Sequence, residues 1–292
     1  MINETFDYVA YLDIKKAIDD RSLNADVWQS MLKWLGEKCD QHDSIQILEI
    51  GAGIGTMIER LLEQLTPVRV TYQAVEPEPA FMSAARNRLQ RWAQNHGLVF
   101  SEIDSNDWVL TGNDSEYRIN WICAEAGNLN TSVAPGTCDL LIAHAVVDLL
   151  PVPELLPRLM EKLNEHGAYY FSLNYAGKTT FDPEHPSDSV LMQAYNRDMD
   201  KRHQQGNWQA SLTGKKLGTW LRDQGHRILA EGSSDWQLGG EDSDFIENIL
   251  DTINKALSGD KALASWYEER CHQLRQHALR LEITNADYFG LK

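Results

Sequence analysis

The stretch "IQILEIGAGIGTMIERLLEQL", Ile45–Leu65, decides the fold. Its first six residues are an apolar run with the length and β-branched content of a buried strand. Three alternating glycines follow, Gly51, Gly53 and Gly55, and then Met57, Ile58, Leu61, Leu62 and Leu65 recur at helical spacing. A glycine turn between a strand and a helix lets a ligand approach the backbone, with the first N–H groups of the helix exposed to it. An acid, Glu49, stands two positions before the first glycine. The ligand must suit both features.

Working outward, "VRVTYQAVE" (Val68–Glu76) reads as a second strand that also closes on an acid. Pro77 and Pro79 open a helix to about Asn95, at positions where a missing N–H costs little. Upstream, Val27, Met31, Leu32 and Leu35 place a helix at about Asn24–Cys39. "LVFSEI" and "YRINWICAE" both read as strands, separated by the turn-rich "TGNDSE"; Ile119–Ala124 is assigned to the sheet and "LVFSEI" to an extra hairpin element. A buried strand at Leu140–His144, a helix at about Pro153–Asn164 and the strand "GAYYFSLNY" come next. A helix at Lys215–Gln224 and "HRILAEGSSDWQL" supply further elements. This alternation predicts an α/β fold: a doubly wound, mostly parallel, seven-stranded sheet with helical cap elements.

The expected organisation is a helical cap over residues 1–40, a core over 41–240 with a lid insertion at about 176–212, and C-terminal helices with a last strand over 241–292. In the last segment Phe245, Ile246, Ile249, Leu250, Ile253 and Leu257 form one amphipathic face, and Leu263, Trp266, Tyr267, Leu274 and Leu281 another. Such appendages either cover the carboxyl edge of the sheet, where open α/β folds bind ligands, or form a homodimer interface.

Composition narrows the partners. With 27 Lys and Arg against 43 Asp and Glu, the formal charge is −16, which weighs against nucleic acid. The opening residues lack the charged-then-apolar layout of a secretory signal. The longest apolar region, "LLIAHAVVDLLPVPELL", is broken by His144, Asp148 and prolines and does not read as a membrane span. Four scattered cysteines without a CxxC pair suit reduced thiols and a cytoplasmic location. Nine histidines include no HExxH, so no metal is expected.

Two cofactor classes use a glycine loop of this kind. Dinucleotide binding favours G-x-G-x-x-G, and here Thr56 stands where the third glycine belongs. NAD(P) also offers no cation to Glu49, whereas S-adenosylmethionine carries an α-ammonium and a sulfonium, and a carboxylate facing an ammonium gains a charge-assisted hydrogen bond. Glu76 is able to accept both hydroxyls of a ribose, a feature that dinucleotide folds share.

With "LEIGAGIG", "AVEPEP", "CAEAGNL" and "CDLLIAHAVVDLL" in this order and spacing, the chain resembles the Rossmann-like S-adenosylmethionine-dependent methyltransferases over roughly Ile45–Tyr175. The resemblance implies that Glu49, Gly51, Ala52, Gly53 and Gly55 hold the methionine end and Glu76, followed by Pro77, the ribose. It also implies that Glu125, with the Ala126 backbone, reaches the adenine amine, for which Asp104 competes. "YLDIKKAIDDRSLN" before the core, and "GSSDW" and "DYFG" after it, resemble a bacterial methyltransferase group of undefined substrate.

Methyl transfer asks the protein mainly to align and desolvate the nucleophile, with a general base only where the acceptor is protonated. His144, at the end of its strand, is the first candidate for base or acceptor positioner and adjoins the cofactor; its alternative is a backbone-bonded strand-edge residue. Asp148 either orients a substrate amine or caps the next helix. Asn174, Tyr175, Tyr195 and His203 are candidates for acceptor binding, and Arg21 for the cofactor carboxylate. The resulting expectation is a methyltransferase acting on a small-molecule N, O or S nucleophile. An NAD(P)-dependent oxidoreductase and a protein or RNA methyltransferase are the alternatives.

Overall fold

The computed structural model describes residues 7–65, 68–112, 114–129, 132–202 and 208–292. Helices α1 (Tyr8–Ser22) and α2 (Ala25–Gln41) precede β1 (Ile45–Ile50), α3 (Thr56–Leu62), β2 (Arg69–Val75) and α4 (Pro79–Asn95). Strands β3 (Val99–Glu102), β4 (Asp107–Gly112), β5 (Ser115–Ile122) and β6 (Cys138–His144) lead to α5 (Val152–Met160) and β7 (Leu163–Asp182). Then come α6 (Asp188–Arg202), α7 (Thr213–Asp223), β8 (Arg227–Ser233), β9 (Trp236–Leu238), α8 (Ser243–Ala256), α9 (Leu263–Arg275) and β10 (Arg280–Leu291).

The sheet order is β3-β4-β5-β2-β1-β6-β7-β10-β8, with β9 paired to β10. β1 lies at the centre because its residues are apolar on both faces: Ile45, Ile47, Leu48 and Ile50 are all buried. β5, β2, β1, β6 and β7 run parallel, and β10 is antiparallel to β7 and β8. One face packs on α2, α3 and α4 and the other on α5 and α7. The doubly wound α/β expectation holds.

The strand count does not. Ten strands are described rather than seven, and β4 is the one that no stretch read as a strand covers. β4 follows a polar turn and is short, yet Trp108 and Leu110 give it a fully buried face against β5. "LVFSEI" does form a hairpin arm, but its partner is β4. Three boundaries also move. α5 stops at Met160 because Leu163 already pairs with Cys138 in the sheet. Leu281 belongs to β10, not to a helix face. β7 continues past Tyr175 to Asp182 because β10 pairs with it along that length, from Ala168↔Leu291 to Asp182↔Arg280.

That overhang carries a third core. Phe181 of β7 and Leu281 and Ile283 of β10 pack with Leu191 and Met192 of α6, Phe245 and Leu250 of α8 and Trp266 of α9. Arg270, fully buried, fastens it: its Nη2 donates to Asp188 Oδ1 and Oδ2 at 2.5 and 2.6 Å, and its Nη1 to the Pro183 carbonyl at 2.7 Å. Its guanidinium also lies 4.7 Å from the Phe181 ring centroid. No helix among the described residues is long and apolar enough to cross a membrane.

Removing one partner of a buried ion pair strands the other charge, at a cost of about 3–5 kcal/mol. Asp188→Ala is therefore expected to lower unfolding stability in urea by about that amount, and Asp188→Ala/Arg270→Leu to regain part of it. A single-variant loss under about 1 kcal/mol would show that the pair does not hold the cap.

Candidate active site

A cavity of about 620 Å³ opens at the carboxyl ends of β1, β2, β6 and β7, the place where open α/β sheets bind ligands. Its floor is Glu49, the glycine loop, Glu76, Pro77, Glu125 and Ala126; its roof comes from α1, α6 and α8. The size lies in the range of small-molecule and cofactor sites.

The glycine loop is drawn tight against the end of β2. Gly51 N and Ala52 N both donate to the Val75 carbonyl, at 2.9 and 3.1 Å, and Gly53 N donates to Glu76 Oε2 at 3.0 Å. Gly51 has φ +69°, and a Cβ there would lie 2.7 Å from Val146 Cγ2, so no larger residue fits without a shift. Gly51, Ala52 and Gly53 line the cavity as expected from the motif; Gly55 does not. Gly55 instead takes the left-handed N-cap position of α3, where its α-carbon side meets Ala85.

Glu49 is 1% exposed. Burial pushes its carboxyl up to about 7, with Tyr72 and Arg60 pulling it back and Glu76 adding to the rise. Tyr72 Oη donates to Glu49 Oε2 at 2.8 Å. Glu76 accepts from Gly53 N and, at 3.2 Å, from Glu78 N, and burial is also the main cause of its raised pKa. A carboxylate has about four lone-pair sites, so these contacts leave acceptor capacity facing the cavity. Glu125 stands at the exposed rim of the same wall. Asp104 is absent from it: its carboxylate caps Asn106 N in the β3–β4 turn.

His144 reaches the wall, but its ring is committed. Nδ1 lies 2.8 Å from Ser172 Oγ, and Nε2 lies 3.1 Å from Asp19 Oδ2 and 3.3 Å from Arg60 Nη1. Burial drives its pKa down to about 4 against the pull of Asp19, so the imidazole is neutral at pH 7. Asp19 would be raised by its own burial, but Lys15 at 2.5 Å, with His144 and Arg60, holds it at about 2. Arg60 also pairs with Asp20. This network favours a tethering part for His144, joining β6 to α1, over that of a free base.

Asp148 does not cap α5, whose N-cap position is Pro151. It sits half-buried in the single turn Val147–Leu149 and faces the cavity. Burial pushes it up to about 6, with Lys15 opposing. Its charge raises the phenols of both Tyr175 and Tyr195, secondary to their own burial. No cation of the described residues forms an ion pair with it.

The acceptor candidates divide. Tyr175 and Tyr195 line the cavity, and Tyr175 Oη donates to Asn196 Oδ1 at 3.0 Å. Asn174, next along the pleat, turns away: it is fully buried and its Nδ2 donates to the Ala286 carbonyl at 2.8 Å. Arg21 points elsewhere too, to Asp242 Oδ1 at 2.6 Å. His203 lies outside the described residues. Sequence reasoning missed Tyr11, Lys15 and Asp19 on α1 and Leu173 on β7. Leu173 has φ +54°, a conformation held by its N–H donating to Asp287 Oδ1 at 2.7 Å. The buried residues of α1, Lys15, Ile18 and Asp19, fall at i, i+3 and i+4, but two of the three are charged, so no apolar face marks them within the expected helical cap.

Among known proteins, residues 25–277 match the family described as "Putative S-adenosyl-L-methionine-dependent methyltransferase". No curated protein matches the chain. A "putative methyltransferase" from Bacillus halodurans is similar in structure, with a TM-score of 0.51 at 10% identity over 90% of this chain and 99% of the other. The YcgJ protein of Bacillus subtilis has a TM-score of 0.50 at 13% identity, over 90% and 98%. At such identities these two show a shared fold.

Proposed function

The chain belongs to the S-adenosyl-L-methionine-dependent methyltransferases, and from that premise we propose that its acceptor is a small molecule held in the roofed half of the cavity. S-adenosyl-L-methionine is the cofactor, and the family excludes the oxidoreductase alternative. The residues present fit it: an acid buried beside a loop whose Gly51 leaves no room for a side chain, and a second acid with free lone pairs. Bound, it supplies an electrophilic methyl on a sulfonium. Glu49 would hold the ammonium, Glu76 the ribose hydroxyls, and Glu125 with Ala126 the adenine edge.

The rest of the chain's work is alignment and exclusion of water. Lys15 and Asp19 bring α1 down onto Arg60 and His144, and α8 adds Ile249 and Ile253 to the cavity wall. The observation that carries the small-molecule reading is this roof. α1, α6 and α8 stand where a protein or RNA acceptor would need an open cleft. The formal charge of −16 adds to it for RNA. Four free cysteines support a reducing, cytoplasmic setting.

Two outcomes are expected. Cell extract supplied with the protein and methyl-tritiated cofactor should carry label in the small-molecule fraction; label confined to protein or RNA would overturn the reading. Second, Glu49 near 7 is protonated in much of the free protein at acid pH, whereas an ammonium favours its ionised form. Cofactor binding should therefore release a proton below pH 7, and affinity should fall by up to about tenfold per pH unit there. The sign for the free fold is opposite: its stability declines as pH rises from the ordinary carboxylate range through about 7. Calorimetry in buffers of different ionisation enthalpy measures the release, and Glu49→Gln should abolish it. Absence of proton release from the unaltered protein would remove Glu49 from the ammonium.

A further inference from the structure

The cavity wall carries five carboxylates, Asp19, Glu49, Glu76, Glu125 and Asp148, against one cationic side chain, Lys15. His144 adds no charge, because burial keeps it neutral at pH 7. Three of the acids lie around the glycine loop and the ends of β2 and β5, on the side assigned to the cofactor. Asp19 is consumed by Lys15 at 2.5 Å. Only Asp148 is left without an assigned partner, and it sits on the other side, among aromatic rings.

Those rings come from separate elements. Tyr175 belongs to the overhang of β7, Tyr195 to α6 and Trp236 to β9, and all three line the cavity with Asp148. Both tyrosines lie within the electrostatic reach of the Asp148 carboxylate. Lys15, from α1, is the cation that acts on Asp148, and its Nζ is 5.2 Å from the centroid of the Trp236 ring. Lys15 cannot neutralise Asp148 while it is held by Asp19. A carboxylate in an aromatic-lined wall of net negative charge attracts a cation by ion pairing. It repels an anionic acceptor.

We propose that the acceptor is an amine that enters as its ammonium and is bound by the Asp148 carboxylate among Tyr175, Tyr195 and Trp236. The inference rests on the reading that the acceptor is a small molecule. An ammonium has no lone pair and must shed a proton before its nitrogen acts as a nucleophile. Asp148 Oδ is the carboxylate placed to receive that proton: the N–H bond breaks, an O–H bond forms, and a neutral amine faces a neutral acid. The cations that reach this compartment, Lys15 and, through Tyr195, Arg202, are held by Asp19 and Asp198, so a carboxylate or thiolate metabolite meets no free counter-charge.

Binding tests this without knowledge of the natural acceptor. The protein saturated with S-adenosylhomocysteine is titrated near neutral pH with benzylamine, benzyl alcohol and benzoate, which share a ring and differ in charge. Benzylamine is expected to bind more tightly than benzyl alcohol by about tenfold or more, as one charge-assisted contact allows, and benzoate more weakly than either. Asp148→Asn should bring benzylamine to the level of the alcohol, and its own titration with S-adenosylhomocysteine reports whether the variant is folded. Benzylamine binding no better than the alcohol, or a preference that survives in Asp148→Asn, overturns the proposal. Failure of the small-molecule reading looks different: tritium then passes to macromolecules whatever the probe preference.

Discussion

A carboxylate buried at the end of the central strand sets the terms for the rest of this structure. Taking Glu49 out of water is costly, and one phenol hydrogen bond from Tyr72 with the more distant Arg60 offsets only part of that cost, as the rise toward 7 records. Position makes the arrangement specific. Glu49, two residues on from Ile47 and on the same sheet face as Ile47 and Tyr72, lines the cavity beside the glycine turn. A ligand with a cation close to an adenosine-like body relieves the unpaired charge. A nicotinamide dinucleotide offers nothing there.

The cap follows from the same requirement. An acid that selects a cation by electrostatics does so strongly only where water is kept away. The N-terminal helix covers it through a charge chain, Lys15 to Asp19, Asp19 to His144 and Arg60, and Arg60 to Asp20, anchored in the core by Ser172. The far side is covered by elements standing on the overhanging ends of β7 and β10, locked through Arg270 and Asp188. The long antiparallel pair thus converts an open sheet edge into a partly roofed cavity.

Much of this was legible in the residues, for reasons that differ by element. Ile45–Ile50 could be read to the residue, because Ile45, Ile47, Leu48 and Ile50 lie between polar Ser44 and the turn-forming Gly51. β4 was not, since "DWVLTG" after "DSN" carries too few residues for a period, and its burial depends on β5. The extension of β7 through Lys178–Thr180 is polar in sequence and becomes strand only because β10 pairs with it. In the site, Glu49, Glu76, Gly51 and Gly53 were readable since their chemistry is local to the strand ends. Lys15 and Asp19 were not, because a Lys–Asp pair four apart on a helix usually marks a solvated face. Asn174 and Tyr175 were separable in principle: neighbours on a strand face opposite ways, so both could not meet one acceptor.

The most direct measurement sets S-adenosylhomocysteine against 5′-methylthioadenosine, which keeps the adenosine and sulfur and lacks the amino acid. With Glu49 on the ammonium, the affinity gap between the two should be large in the unaltered protein. It should shrink by about 1.5–3 kcal/mol in Glu49→Gln, the value of a hydrogen bond to a charged group. A gap of the same size in both proteins would mean that the buried acid does not meet the cofactor's amine.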